Sequence, residues 1–153
     1  MRSSAEDTLA RLKQIVSSPA ARVAKAGQIA DTIRQNGNHR WVGIYDVTAE
    51  EIAVIAWSGP AAPTYPRFPV DRGLSGAAVK SGRAVVANDV SKDARYLSTL
   101  DSTGAEMIVP VSRGSRVVGT IDIESETIGR FNDSDRAFVE QCAAAIRGLW
   151  DSV

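Results

Sequence analysis

Three carboxylates stand in the most strand-like stretches of this chain. "TIDIES" (120–125) places Asp122 and Glu124 two residues apart, and "AEMIVPV" (105–111) begins with Glu106 close behind it. Side chains two apart on a strand share a face, so Asp122 and Glu124 point one way and Ile121 and Ile123 the other. Whether Glu106 joins them depends on the turn near Gly114. A two-residue turn at Gly114-Ser115 sets Glu106 beside Ile123, on the opposite face. A three-residue turn from Arg113 to Ser115 sets it across from Asp122, about 5 Å away. One residue of register reverses the outcome. If the acids converge, mutual repulsion and burial raise at least one pKa. A cation or a bound proton must then offset the charge, and the amino group of a small ligand would do so. The plain alternative is a solvated sheet face, or pairing with Arg113, Arg116 or Arg130.

Other residues could serve the same site. Trp41 and Tyr45 alternate along a strand-like run and could form an aromatic wall; core packing is the competing reading. Tyr65, Phe68 and Tyr96 fall in loop-like segments, as lid residues or as loop anchors. Asp71-Arg72-Gly73 precedes a short helix whose N-terminal amides could receive an anion, or it is a plain loop-to-helix junction. "GLSGA" lacks the second glycine of a serine elbow at Ala77. Cys142 lies on an apolar helical stripe and reads as a small core residue. His39 has no recognisable partner and reads as a surface histidine.

These residues must be positioned by ordinary elements. Apolar spacing predicts helices over 4–17 and 20–36, the second introduced by Pro19. "RWVGIYDVTAEEIAVIAWSG" reads as a β-hairpin. The proline-rich segment 59–73 reads as a loop, 74–82 as a short helix stopped by Gly82, and "AVVAND" as a short strand. A polar loop follows, with at most one helical turn, then a second hairpin over 105–126. The last helix is N-capped by Asn132 or Asp133, with Phe138, Cys142, Ala145, Ile146 and Leu149 as its stripe. The order predicts an α+β domain: a central, mainly antiparallel sheet flanked by N- and C-terminal helices. Two long loops are the unusual feature and are expected to line or cover a site.

Composition narrows the function. The chain has 153 residues, enough for one well-packed domain. Eighteen Lys and Arg balance eighteen Asp and Glu, which argues against a nucleic-acid or membrane-surface partner. No apolar run reaches the length of a membrane span, and the N-terminus is charged and amphipathic, so a cytoplasmic protein is expected. A single cysteine makes no internal disulfide and no zinc site. No cofactor or metal is called for.

From about Arg40 to Trp150 the chain resembles the GAF domain family, a GAF/PAS-like fold. Within that family it is most similar to the free methionine-(R)-sulfoxide reductases. The matching stretches are "WVGIY", "PVDRGLSGAAVKSGRAVVANDV", "AEMIVPV" and "VVGTIDIES…GRFNDSDRAFVEQCA". The resemblance implies a pocket on one sheet face roofed by the two loops, and a homodimer through terminal helices. Residues 1–39 would then be a helical segment packing on the domain or its partner, and 40–153 the GAF domain. It carries pocket roles onto Trp41, Tyr45, Ser75, Tyr96, Glu106, Asp122 and Glu124. It also marks departures. The reductases' cysteines would fall near 62–64, at Ser75 and near Thr99, and none of these is cysteine. Sulfoxide reduction by that route needs one thiolate to attack sulfur and a second thiol to resolve the adduct. A serine hydroxyl is too weak a nucleophile without an activating base. Neither the cyclic-nucleotide motif nor the tetrapyrrole-linking cysteine of other members is found. The expectation is a stand-alone, non-catalytic, sensory small-molecule-binding domain with an amino-acid-like ligand. The alternatives are a reductase-like enzyme and a structural dimerisation module with an empty pocket.

Overall fold

A computed structural model describes residues 4–97 and 102–151. Two amphipathic helices open the chain. Helix α1 (Ser4–Ser17) buries Leu12 and Ile15, and α2 (Arg22–Gly37) buries Ala26, Ile29, Ala30 and Ile33. Helix α2 begins beyond Pro19, at Arg22, and ends on Asn38, whose φ of 50° turns the chain out of the helix. Strands β1 (Trp41–Val47) and β2 (Glu51–Ser58) form the first hairpin.

The proline-rich segment departs from the loop expected over 59–73. Arg67–Pro69 pairs with Glu51–Ala53 of β2 as a three-residue strand, β3. Proline is tolerated there because β3 is a sheet edge with no further ladder to donate to. Helix α3 (Gly73–Ser81), strand β4 (Val85–Ala87) and a 3-10 turn at Val90–Lys92 follow. The second hairpin is β5 (Ala105–Arg113) and β6 (Arg116–Ser125). Asn132 and Asp135 form a reciprocal capping box at the start of α4 (Asp133–Ala145), which resolves the cap to Asn132. The expected last-helix stripe is split: Leu149 sits in a separate 3-10 turn, Arg147–Trp150.

The six strands form one antiparallel sheet in the order β3-β2-β1-β6-β5-β4. One face carries Val42, Ile44, Met107, Val109, Ile121 and Ile123 and packs against α1, α2 and α4 in a single apolar core. Cys142 lies fully buried in that core. The other face carries Trp41, Tyr45, Val47 and Ile52, and beside them the acids.

The β5–β6 register matches neither turn geometry in full: it has the two-residue turn, yet a bulge brings Glu106 to the face that the three-residue turn predicted. Arg113 pairs with Arg116 across a two-residue turn, in which Gly114 has φ 61°. That register alone would send Glu106 to the helix side. Between Val111 and Ser112 it shifts: Ser112 pairs with Val117, but Val111 pairs with Gly119. Val118 is the extra residue of a β-bulge. Beyond it Glu106 pairs with Glu124 and Ile108 with Asp122. All three acids therefore share a face, with Glu106 opposite Glu124 and not Asp122.

His39 also departs from expectation. It is buried, its ring centroid 6.0 Å from that of Phe131. Burial, then the nearby Arg130, pushes its pKa down to about 4, so it is neutral at physiological pH. Gly37 leaves it room: a Cβ there would lie 2.0 Å from His39 Nε2.

Gly43 matters for the opposite face. It pairs with Asp122, between Trp41 and Tyr45, and a Cβ there would lie 2.4 Å from the Trp41 ring and 2.7 Å from the Tyr45 ring. The two rings lean over a gap that only glycine leaves open. Gly43→Ala is expected to cost about 1–3 kcal/mol through overpacking, read as a lower urea midpoint. An unchanged midpoint would show that the rings relax freely.

Candidate functional site

The acids are built into rigid ladders. Glu106 comes from β5, Asp122 and Glu124 from β6, and their side chains rise between the aromatic residues of β1 and the start of α3. Glu106 and Asp122 are 4% exposed and Glu124 is 0% exposed. Carboxylate oxygens from all three lie within 4.8 Å of one another. The arginines weighed as partners are engaged elsewhere or lie outside. Arg113 pairs with Asp151. Arg130 reaches Asp135 at 3.3 Å and the carbonyl of Gly37 at 3.0 Å, and Arg116 is exposed at the hairpin end. Among the described residues no cation pairs with Glu106 or Asp122.

The three carboxylates differ in surroundings. Glu124 Oε1 accepts from Thr103 Oγ1 at 2.8 Å, with the Tyr96 hydroxyl at 3.5 Å. This ties the long segment between β4 and β5 down onto the sheet. Asp122 Oδ1 is buried and has no hydrogen-bond partner among the described residues. Burial, then the charges of Asp122 and Glu124, holds Glu106 well above the usual carboxylate range. Burial raises Asp122 to about 6, partly opposed by a hydrogen bond with Glu106. The phenol of Tyr45 is likewise held above its ordinary value by burial and the neighbouring carboxylates, so it stays protonated.

Glu106 and Asp122 reach a small cavity whose water-accessible volume is about 20 Å³. That is room for about one water and not for an amino acid. Tyr45 and Phe68 form one side, Leu74 and Ser75 at the start of α3 another, and Tyr65 and Leu97 lie over it. Ser75 is itself buried. Thus Tyr45, Ser75, Glu106 and Asp122 are brought to the cavity, and Tyr96 and Glu124 meet beside it. Trp41 is placed differently. It is fully buried against Tyr45, ring centroids 6.4 Å apart, and its indole N–H donates to the carbonyl of Ala61 at 3.0 Å. It fixes the proline-rich loop and does not line the cavity. Thr99 lies outside the described residues.

Sequence reasoning did not find Thr103, Gly43 or Leu74. Thr103 is an unremarkable loop residue whose role depends on where the chain returns. An acid trio of this kind could also hold a hard cation such as Mg²⁺ or Ca²⁺, which takes oxygen ligands. The chain's one thiol is remote in chemistry as well as in place. Cys142 sits in the core on the helix side of the sheet, where burial pushes its pKa up to about 12.

Comparison with known proteins gives a consistent picture. A family model described as GAF domain matches residues 24–148. Protein ZMO0507 of Zymomonas mobilis is 30% identical over 147 residues, covering 94% of this chain and 87% of that protein. The free methionine-R-sulfoxide reductase of Escherichia coli is 26% identical over 106 residues, 69% of this chain and 63% of that protein. Among solved structures, the free methionine-R-sulfoxide reductase of Neisseria meningitidis in complex with its substrate superposes with a TM-score of 0.87. It is 24% identical, covering 96% of this chain and 88% of that one. No helix among the described residues is long and apolar enough to cross a membrane.

The raised carboxyl pKa values predict a stability signature. A carboxyl whose folded pKa exceeds its unfolded value stabilises the fold only below the unfolded pKa. That contribution is lost as pH rises through the folded one. Asp122→Asn should therefore be more stable than the parent at pH 8, by on the order of 2 kcal/mol, with the gain shrinking towards pH 4. Thermal melts across that range test it. A variant less stable at pH 8 would mean that the native carboxylate is neutralised by a resident cation.

Proposed function

The chain belongs to the GAF domain family, and from that premise we propose that it is a small-molecule-binding module of the sensory type, without catalytic turnover, for a small ligand carrying a primary ammonium group. The observation that carries this reading is Asp122: a buried carboxylate at the cavity beside Glu106, one of whose oxygens has no hydrogen-bond partner, and with no cation paired to it among the described residues. Buried charges are held by partners, and the hydrogen bond with Glu106, another acid, supplies no opposite charge. A primary ammonium has three donors. Placed about 2.8 Å from one oxygen of each acid, it needs those oxygens about 4.6 Å apart. The trio's spacing, within 4.8 Å, admits that arrangement.

Amino acids are the ligand class that best fits this reading, because two relatives are reductases of free methionine-R-sulfoxide. The closed cavity is too small for one, so binding requires the segments carrying Tyr65 and Leu97 to move outward. The thiol content supports a reading without sulfoxide turnover. The one cysteine, Cys142, is buried behind the sheet with its pKa raised, whereas sulfoxide reduction needs an accessible thiolate. The reading includes a homodimer joined through the terminal helices, where Val23 of α2 remains 63% exposed.

The small volume of the cavity favours one rival, a structural module whose pocket stays shut. Calorimetric titration with L-methionine, its sulfoxide and a panel of amino acids separates the two. Saturable binding is expected, weakened roughly 10–100-fold in Asp122→Asn by loss of a charged hydrogen bond, with no sulfoxide consumed in the presence of dithiothreitol. No heat from any amine would leave the structural module standing, and consumption lost in Cys142→Ser would restore the enzyme. Native mass spectrometry of the same samples reports the expected dimer.

A further inference from the structure

Glu106 and Asp122, ionised side by side in a buried wall with no cation paired to either among the described residues, cannot both keep their charge. Glu106 and Asp122 are the two that meet at the cavity, while Glu124 is engaged by Thr103. We propose that this site binds its cation by exchange: Glu106 and Asp122 share one proton while the cavity is closed, and the incoming positive charge expels that proton to solvent. The inference rests on the reading of the site as a cation receptor, and adds the chemistry of uptake.

The surroundings favour exchange over simple addition. From β1 the trio faces Tyr45, a neutral phenol held protonated. From β6 it faces Glu124, and from β4 only Ala87, the partner of Glu106. Helix α3 contributes Ser75 and Leu74, without charge. The loops contribute Tyr65 and Tyr96, with Asp93 further off and already held by Arg95 through contacts of 2.9 and 2.7 Å. No positive side chain among these can neutralise the pair. With one proton bound, the Glu106–Asp122 pair carries one negative charge. After a monocation replaces the proton it carries two against one positive, and the net charge is unchanged. Both groups are raised, Glu106 well above the usual carboxylate range and Asp122 to about 6, so the pair retains a proton near neutral pH. Affinity for a cation therefore rises about tenfold per pH unit while one proton is displaced, and levels off once Glu106 is itself ionised.

The proton is visible without any ligand. Infrared difference spectra of the purified protein at pH 7, parent against Glu106→Gln, should show the carbonyl stretch of one buried protonated carboxyl. Asp122→Asn serves as a second comparison if the first variant folds poorly. Absence of that band overturns the exchange. Methylammonium chloride and L-methionine are then the probes. Titration in phosphate and in HEPES, whose ionisation enthalpies differ and neither of which carries a primary ammonium, should report about one proton released per cation bound, with loss of the band. Binding without proton release overturns the exchange and leaves the cation receptor intact. A band that persists while neither probe binds overturns both.

Discussion

Side chains alternate across a strand, so a single unpaired residue in β6 decides which side of the sheet three carboxylates occupy. Val118 is that residue. The tight turn at Gly114-Ser115 fixes one parity, and the bulge reverses it before the chain reaches Asp122. Without the reversal, β5 and β6 would disagree about which face is apolar. Either Glu106 would enter the core formed with α1, α2 and α4, or Met107 and Val109 would leave it. The bulge lets a two-residue hairpin and a two-faced sheet coexist. The acidic face is thus dictated by the apolar one: Ile121 and Ile123 must face the helices, and Asp122 and Glu124 follow.

The fold was largely legible in the sequence because helical and strand periodicities are strong there. The apolar positions of α1, α2, β1, β5 and β6 lie where spacing places them. Where the sequence fell short, the cause was always a contact with something distant. His39 has no nearby partner in the chain, yet Phe131 and Arg130 enclose it from the other end of the molecule. Arg67–Pro69 lies in a segment with prolines at 60, 63, 66 and 69, too many to read as a strand, and becomes one because β2 leaves an edge open. The bulge has no local signature, since "RVVGT" suits a regular strand as well as an interrupted one. The acid trio was visible as residue types but not as a pairing, and Glu106 faces Glu124 through a register one residue beyond the two-residue-turn expectation. Trp41 was legible as an aromatic wall residue, but its indole N–H is directed to the loop at Ala61 and away from the cavity.

The two faces of the sheet keep incompatible chemistries apart. The helix side is dry and apolar and holds the lone thiol. The loop side gathers the acids, beside two segments tied to the sheet, one by the Trp41 indole and the β3 ladder, the other through Thr103 and Tyr96. Carboxylates whose charged forms oppose folding persist most readily where something else depends on them. Raised-pKa groups gathered at a cavity are the arrangement in which functional sites are commonly found.

The tether from Trp41 to Ala61 has a mechanical corollary. The proline-rich loop is pinned near its beginning by the indole and at its end by the β3 ladder. Gly59 packs so closely on the Trp41 ring that a Cβ there would lie 2.4 Å from it. Only the few residues around Tyr65 can lift without breaking one pin or the other. A loop that is long in sequence is thereby short in freedom: two anchored flanks with one brief span between them.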